Sequence, residues 1–338
     1  MTNDVIEVSY TGDLLSHRRC PRSWSYERYA GFNPYEQVQA MEGRLVHHSM
    51  EWLTRVFGEK RAHANRDELQ AQLAKHFRVL WARGVRTAFT SKKDTLDRVL
   101  NHIFPVSGMD PIVQAAVEGA QHTEYELRTV RKLIKGDFGG KGRLLLTGVL
   151  DVVIQQRNPL VYQRTWEWLN SKRLEGRVGK RPTSAVVGEL EIWDYKGTKA
   201  DSPFVPDYVR QLLTYAALFK ERTGRTPSRC VLFFINEAKR EKKLLAVAVD
   251  EALIEDAVAW TIEQVRLLRK TTLQFQIMPT SIEGGALDRQ TRPLGKRTDE
   301  ELRQQCTACG LRFDCGEYKA FLGRPNHPDI ALTNVGKN

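Results

Sequence analysis

Four cysteines are divided between the two ends of this chain: Cys20 near the start, then Cys306, Cys309 and Cys315 in a C-x2-C-x5-C run near the finish. Soft thiolates grouped in this way hold iron-sulfur or zinc centres. A centre shared by all four would clasp the termini together around whatever lies between. The fifth cysteine, Cys230, sits in the apolar run Cys230-Val231-Leu232-Phe233-Phe234 and reads as a buried hydrophobe without chemical duty. Five cysteines in 338 residues do not make a secreted disulfide framework, which is denser and usually even in number. A reducing, cytoplasmic setting fits better.

A chain of this length with 41% apolar residues can bury a substantial core, in one large domain or two ordinary ones. Lys and Arg outnumber Asp and Glu by 52 to 41, a formal net charge of +11, which favours a polyanion such as nucleic acid as partner. Met1 to Asp13 carry no basic stretch followed by an apolar one, so they do not read as a signal peptide. No apolar run approaches the ~20 residues that span a bilayer, and no membrane partner is expected.

Helical spacing runs from about Val38 to Val56, where Met41, Leu45, Met50 and Leu53 mark one face, and again through Leu69–Trp81 and Pro111–Leu133. At Arg143 the period changes: Leu144 to Ile154 is apolar and β-branched, and predicts a buried strand carrying one acid, Asp151. A second strand, Val186 to Lys196, ends on Asp194-Tyr195-Lys196. Asp207–Lys220 predicts a helix, Cys230–Ile235 and Leu244–Val249 a hairpin, and Glu251–Arg269 a further helix. There is no internal repeat and no Walker-A phosphate loop, so any ATP-driven step would belong to another chain.

Asp194 and Lys196 stand two apart at a strand end and therefore share a face. Such a pair can hold a divalent ion and a water beside a phosphate, although an isolated D-x-K is as a rule a surface ion pair. Asp151 narrows the choice, because an acid inside an apolar strand is costly without a cation, a hydrogen-bond network or a chain end to compensate it. His47 lies on the first long helix with Gly43 one turn before it, where a missing side chain permits close approach. Gln211 and Tyr215, four apart on the Asp207–Lys220 helix, project from one face. Asp151 alone points to function, whereas His47 and the Gln211/Tyr215 pair, each taken alone, read as packing. The stretch between Gln155 and Val187 carries Arg157, Arg164, Lys172, Arg173, Arg177, Lys180 and Arg181 interleaved with Tyr162, Trp166 and Trp168. It reads either as a path for single-stranded DNA or as a solvated loop packed by its tryptophans.

Taken in order, Gly43-x3-His47, Gly148-x2-Asp151, Asp194-Tyr195-Lys196, Gln211-x3-Tyr215 and cysteines divided one and three resemble the RecB-like branch of the PD-(D/E)XK nucleases, including AddB-type helicase-nucleases and CRISPR-adaptation exonucleases with an iron-sulfur cluster. The resemblance runs from Cys20 to Cys315. It implies an α/β restriction-endonuclease-like core, a mixed central sheet flanked by helices, with a helical insertion and an iron-sulfur clasp joining the termini. As a single nuclease domain over 1–338, the chain would place the helical elaboration at 58–135, the core at 136–275 and the cluster region at 1–30 plus 298–320.

The resemblance further implies that His47, Asp151, Asp194 and the main-chain carbonyl of Tyr195 coordinate Mg2+ or Mn2+, with Lys196 positioning the attacking water. Gln211 and Tyr215 would attend the DNA strand and that lysine. Arg164, Trp166, Trp168, Lys172 and Arg173 are the expected DNA contacts. Cys20, Cys306, Cys309 and Cys315 would hold a structural 4Fe-4S cluster, with Zn2+ as the alternative. The expected activity is exonucleolytic, on single-stranded DNA or duplex ends, in DNA repair, recombination or CRISPR and antiphage defence, beside a helicase or CRISPR-adaptation partner. The alternative is a non-cleaving DNA-binding or assembly subunit.

Overall fold

The computed structural model describes residues 5–29, 39–60, 65–85, 91–105, 108–132, 143–169 and 172–277. The chain divides into two compact units, Met1–Leu14 with Val38–Val265, and Leu15–Gln37 with Arg266–Asn338. In the larger unit, strand β1 (Val5–Ser9) passes into a π-helical turn, Tyr10–Leu15, whose last residue belongs to the other unit. The smaller unit contains the short helices α1 (Ser16–Arg19) and α2 (Pro21–Tyr29), which meet at Cys20.

Four helices follow in the larger unit: α3 (Gln39–Lys60), α4 (Arg66–Ala82), α5 (Lys92–Ile103) and α6 (Pro111–Gly119). Their starts are written in the sequence. The side chains of Asn65, Ser91 and Asp110 accept from the backbone N–H of Glu68, Asp94 and Ile112, and so satisfy donors that a helix N-terminus leaves free. On α3, Met41, Leu45, Met50 and Leu53 are buried as their spacing predicts, and they pack in one core with α4, α5, α6 and one face of the sheet.

The helical reading of Pro111–Leu133 is corrected at Gly119, because Ala120–Lys132 is a strand, β2. A Cβ on Gly119 would lie 2.6 Å from Ile154 Cγ2 and 2.9 Å from Gln155 O, so the chain there is pressed onto the next strand. Beyond it the period is two: Thr123, Tyr125 and Leu127 turn inward while His122, Glu124, Glu126 and Arg128 are exposed. Pairing along nearly the whole of β3 (Arg143–Gln155) outweighs the helical propensity of the segment.

The connection after β3 is not a loop. It contains β4 (Val161–Tyr162), β5 (Thr165–Leu169), β6 (Lys172–Gly179) and β7 (Thr183–Ser184). The next strand, β8 (Leu190–Lys196), begins later than the sequence suggests, since Gly188 at φ +90° makes a turn and leaves Val186 and Val187 exposed. Helix α7 (Val205–Thr223), the antiparallel pair β9 (Arg229–Phe234) and β10 (Leu244–Ala248), and α8 (Glu251–Ile277) complete the described chain. No helix among the described residues is long and apolar enough to cross a membrane.

The main sheet runs β1-β3-β8-β9-β10-β5-β6, with β2 along the other edge of β3. It is mixed and flanked by helices, as a restriction-endonuclease-like core requires. Its layout creates a gap. β1 pairs parallel with Arg143–Thr147 of β3, and β8 pairs antiparallel with Val152–Gln155. The stretch Gly148–Asp151 faces neither ladder on that edge. The C-terminal ends of β1 and β8 both run into this opening, while β8 remains paired with β9 through Lys196.

Candidate active site

The opening between β1 and β8 gathers residues that lie far apart in sequence. Past Trp193 the β3–β8 ladder stops, and the side chain of Asp151 takes over: its Oδ2 accepts the backbone N–H of Tyr195 at 2.6 Å. The other end of β8 is pinned by the buried Glu191 carboxylate, which accepts from Gln156 Nε2 (2.6 Å), Tyr162 OH (2.5 Å) and Trp193 Nε1 (2.8 Å). A strand fixed at both ends presents the D-Y-K segment in one geometry.

Alternation along β8 then sorts the side chains. Trp193 and Tyr195 enter the core beneath α3, where the Tyr195 ring meets His47 edge-on at 5.9 Å. Lys196 contacts Asp194 instead, with Nζ 2.5 Å from Oδ2, and lies over the ring of Tyr208 on α7 at 4.5 Å. Lys196 Nζ also donates to Gln211 Oε1 at 3.2 Å, and Gln211 Nε2 donates to Tyr215 OH at 3.2 Å. Thr11, from the turn after β1, closes this polar chain: its Oγ1 accepts from Gln211 Nε2 and lies 3.3 Å from Tyr215 OH.

Gly148 has a clear structural role. A Cβ on it would intrude on the Tyr215 ring, with Cζ at 3.0 Å and Cδ1 at 3.1 Å, so only glycine lets Tyr215 lie against β3. Gly43 meets no such obstruction, although a Cβ on Gly197 would come 3.8 Å from its Cα. The G-x3-H spacing therefore brings α3 close to the chain just past Lys196.

Charge is concentrated here. His47 Nδ1 stands 3.3 Å from Asp151 Oδ1. Burial works against the imidazolium, but the charge and hydrogen bond of Asp151, with Asp194 and Glu124 behind, hold its pKa up at about 9. Burial raises Asp194 to about 6, against the pull of Lys196 and with the added repulsion of Asp151. Lys196 is raised above its ordinary value, since Asp194 and Asp151 outweigh its desolvation. Lys196 is thus an ammonium in this setting, suited to stabilising negative charge.

Glu124 was not among the residues expected. It belongs to β2, and its carboxylate, His47 and Asp151 each offer a ligand atom, all within 4.8 Å of one another. Partial desolvation of the carboxyl, then the charge of Asp151, raises Glu124 to about 7, with His47 acting the other way. Two carboxylates and an imidazole suit a divalent ion of the magnesium-to-manganese class, so the three could bind one.

A family model described as PD-(D/E)XK nuclease superfamily matches residues 12–168. The match supports that superfamily. PD-(D/E)XK nucleases use divalent metals and act on DNA, so the match points to a metal-dependent nuclease. The matched span includes His47, Glu124, Gly148 and Asp151 and ends before Asp194 and Lys196. No curated protein matches the chain.

Other expected residues lie elsewhere. Arg164 donates to the carbonyls of Lys242 and Ala200 and pairs with Asp201. Trp166 is buried, with its indole beneath Gly176, and offers no open face for a base. Trp168 is half-buried beside it on β5. Lys172 and Arg173 lie on β6, and their side chains fall outside the described residues. In the smaller unit, Cys20 is half-buried between α1 and α2, where the N–H of Ser23 points at its Sγ at 3.4 Å. Cys306, Cys309 and Cys315 lie outside the described residues. Cys230 is fully buried, its Sγ–H directed to Leu212 O, and burial pushes its thiol pKa up.

Proposed function

We propose that the chain is a Mg2+- or Mn2+-dependent deoxyribonuclease of the RecB-like branch, degrading single-stranded DNA or duplex ends exonucleolytically. The observation that carries this is the convergence of His47, Asp151, Asp194 and Lys196 on one opening in the sheet. A divalent cation, when bound, supplies Lewis-acid stabilisation of charge at the scissile phosphate. His47, Asp151, Asp194 and the Tyr195 carbonyl would hold it. Lys196, kept protonated by two carboxylates, orients the attacking water and opposes the charge that develops on phosphate. Gln211 fixes the lysine head group, and Tyr215 and Thr11 fix Gln211. Trp168, with Lys172 and Arg173 on the neighbouring strand, is the proposed approach path for the DNA strand.

The four terminal cysteines hold a structural 4Fe-4S cluster in this reading. Cys20 supports it as a half-buried thiol in the smaller unit. Any unwinding of duplex DNA falls to a partner, a helicase or a CRISPR-adaptation protein, because the sequence has no Walker-A loop. The test is cleavage of end-labelled single-stranded, duplex and circular DNA with manganese, beside the Lys196→Met variant. Linear substrates should be degraded, circles spared and the variant inactive. Wild-type protein that leaves every substrate intact with either ion would overturn the proposal.

A further inference from the structure

We infer that Glu124 is itself a cation ligand, joining His47 and Asp151 at the divalent-ion site. This deepens the proposed function and rests on its reading of the site as metal-binding. The pairing of β2 with β3 matches Thr123 with Val152 and Tyr125 with Leu150, which leaves Glu124 across from Asp151. The backbone departs from strand geometry at that residue. Glu124 has φ +47°, the only non-glycine positive φ among the described residues, a conformation that side-chain-bearing residues seldom occupy.

The local distortion and the donor cluster coincide. At the distorted position the glutamate carboxylate shares a 4.8 Å neighbourhood with the imidazole of His47 and the carboxylate of Asp151. The three donors come from three elements, α3, β2 and β3, and β2 and β3 are joined by a ladder that runs along nearly the whole of both strands. Asp194 is held differently, against Lys196 at 2.5 Å, and is not one of the three. His47 and Glu124 are reachable from solvent while Asp151 is buried behind them, so an ion can enter this face directly. Manganese accepts both imidazole and carboxylate ligands and is the suitable probe.

Mn2+ titrations of the full-length protein, followed by the electron paramagnetic resonance of the free ion and by calorimetry, test the assignment. Glu124→Gln keeps the side chain's size and removes its charge. It should weaken manganese binding at least about tenfold, since even outer-shell partners are commonly worth about 10- to 100-fold. Glu126→Gln, which removes an exposed acid of the same strand, should stay within about threefold of wild type in affinity. Should Glu124→Gln fail to fold, Glu124→Gly suits the positive φ and is expected to show the same loss. Unchanged affinity in the Glu124 variant, or equal loss in both variants, overturns the inference and leaves the metal-site reading standing. Wild-type protein that takes up no manganese overturns both.

Discussion

Replacing Gly148 by alanine adds one methyl group where β3 passes against the ring of Tyr215. That carbon would stand 3.0 Å from Cζ and 3.1 Å from Cδ1 of the ring. Carbon atoms rest at about 3.5–4.0 Å and the ring's Cε1 would lie closer still, so ring or strand must yield by more than about 1 Å. Tyr215 is 2% exposed, and its hydroxyl is engaged by Gln211 and Thr11, so the displacement cannot be absorbed in solvent. Overpacking of this kind costs about 1–3 kcal/mol. In a unit of this size each kcal/mol lowers Tm by about 2–4 °C. The Tyr215 hydroxyl holds Gln211, and Gln211 holds Lys196, so Lys196 moves as well. A misplacement of about 1 Å can reduce a rate about 100-fold. Thermal melts followed by circular dichroism, together with cleavage of end-labelled DNA, should show both losses in Gly148→Ala. The double variant Gly148→Ala/Tyr215→Leu should be more stable than the two single losses add up to, because leucine makes room, and it should remain slow. Wild-type Tm and rate in Gly148→Ala would refute the reasoning.

Thr11→Val should lower kcat with little change in KM and leave Tm within about 1 °C, and Thr11→Ser should restore activity, because a hydroxyl that orients Gln211 does not bind substrate. In metal-free protein the raised pKa of His47 means that its charged form stabilises the fold fully below about pH 6.5 and that this contribution is lost as pH rises through about 9. His47→Gln should flatten the fall in Tm across that window in the presence of a chelator; the side chain is 39% exposed, so screening keeps the effect small. Lys196→Met should abolish cleavage and destabilise the metal-free protein by about 3–5 kcal/mol, because Asp194 is left buried without its partner. Protein purified without oxygen should be brown with broad absorption near ~400 nm, and Cys20→Ser should lose the colour; a colourless wild type with stoichiometric zinc would replace the cluster with a zinc centre.

Much of the candidate site's placement could be read from sequence because its residues sit on strongly patterned elements. The apolar run around Asp151 has no reading other than a strand, and its acid demanded compensation, which Tyr195 N–H and His47 supply. The i, i+4 spacing of Gln211 and Tyr215 likewise became a hydrogen bond. Glu124 was hidden because Pro111–Gly119 begins a well-capped helix, and the period-two pattern of His122 to Arg128 starts only after it. Thr11 left no local sign, since its partners are two hundred residues away and the sheet split that joins them is a property of strand order. The stretch after β3, read from its basic and aromatic residues as a DNA path or a loop, instead forms strands, and at Gly176 and Gly179 β6 crosses closely over Trp166 and Glu167.

The central claim is that folding brings His47, Asp151 and Asp194 to one cation. Anomalous diffraction at the manganese edge, from crystals of the full chain soaked in Mn2+, addresses it directly. The account predicts a peak within ligand distance, about 2.0–2.3 Å, of His47, Asp151 and Asp194. A well-ordered crystal with no manganese peak beside Asp151, or with these side chains turned away from each other, would contradict it.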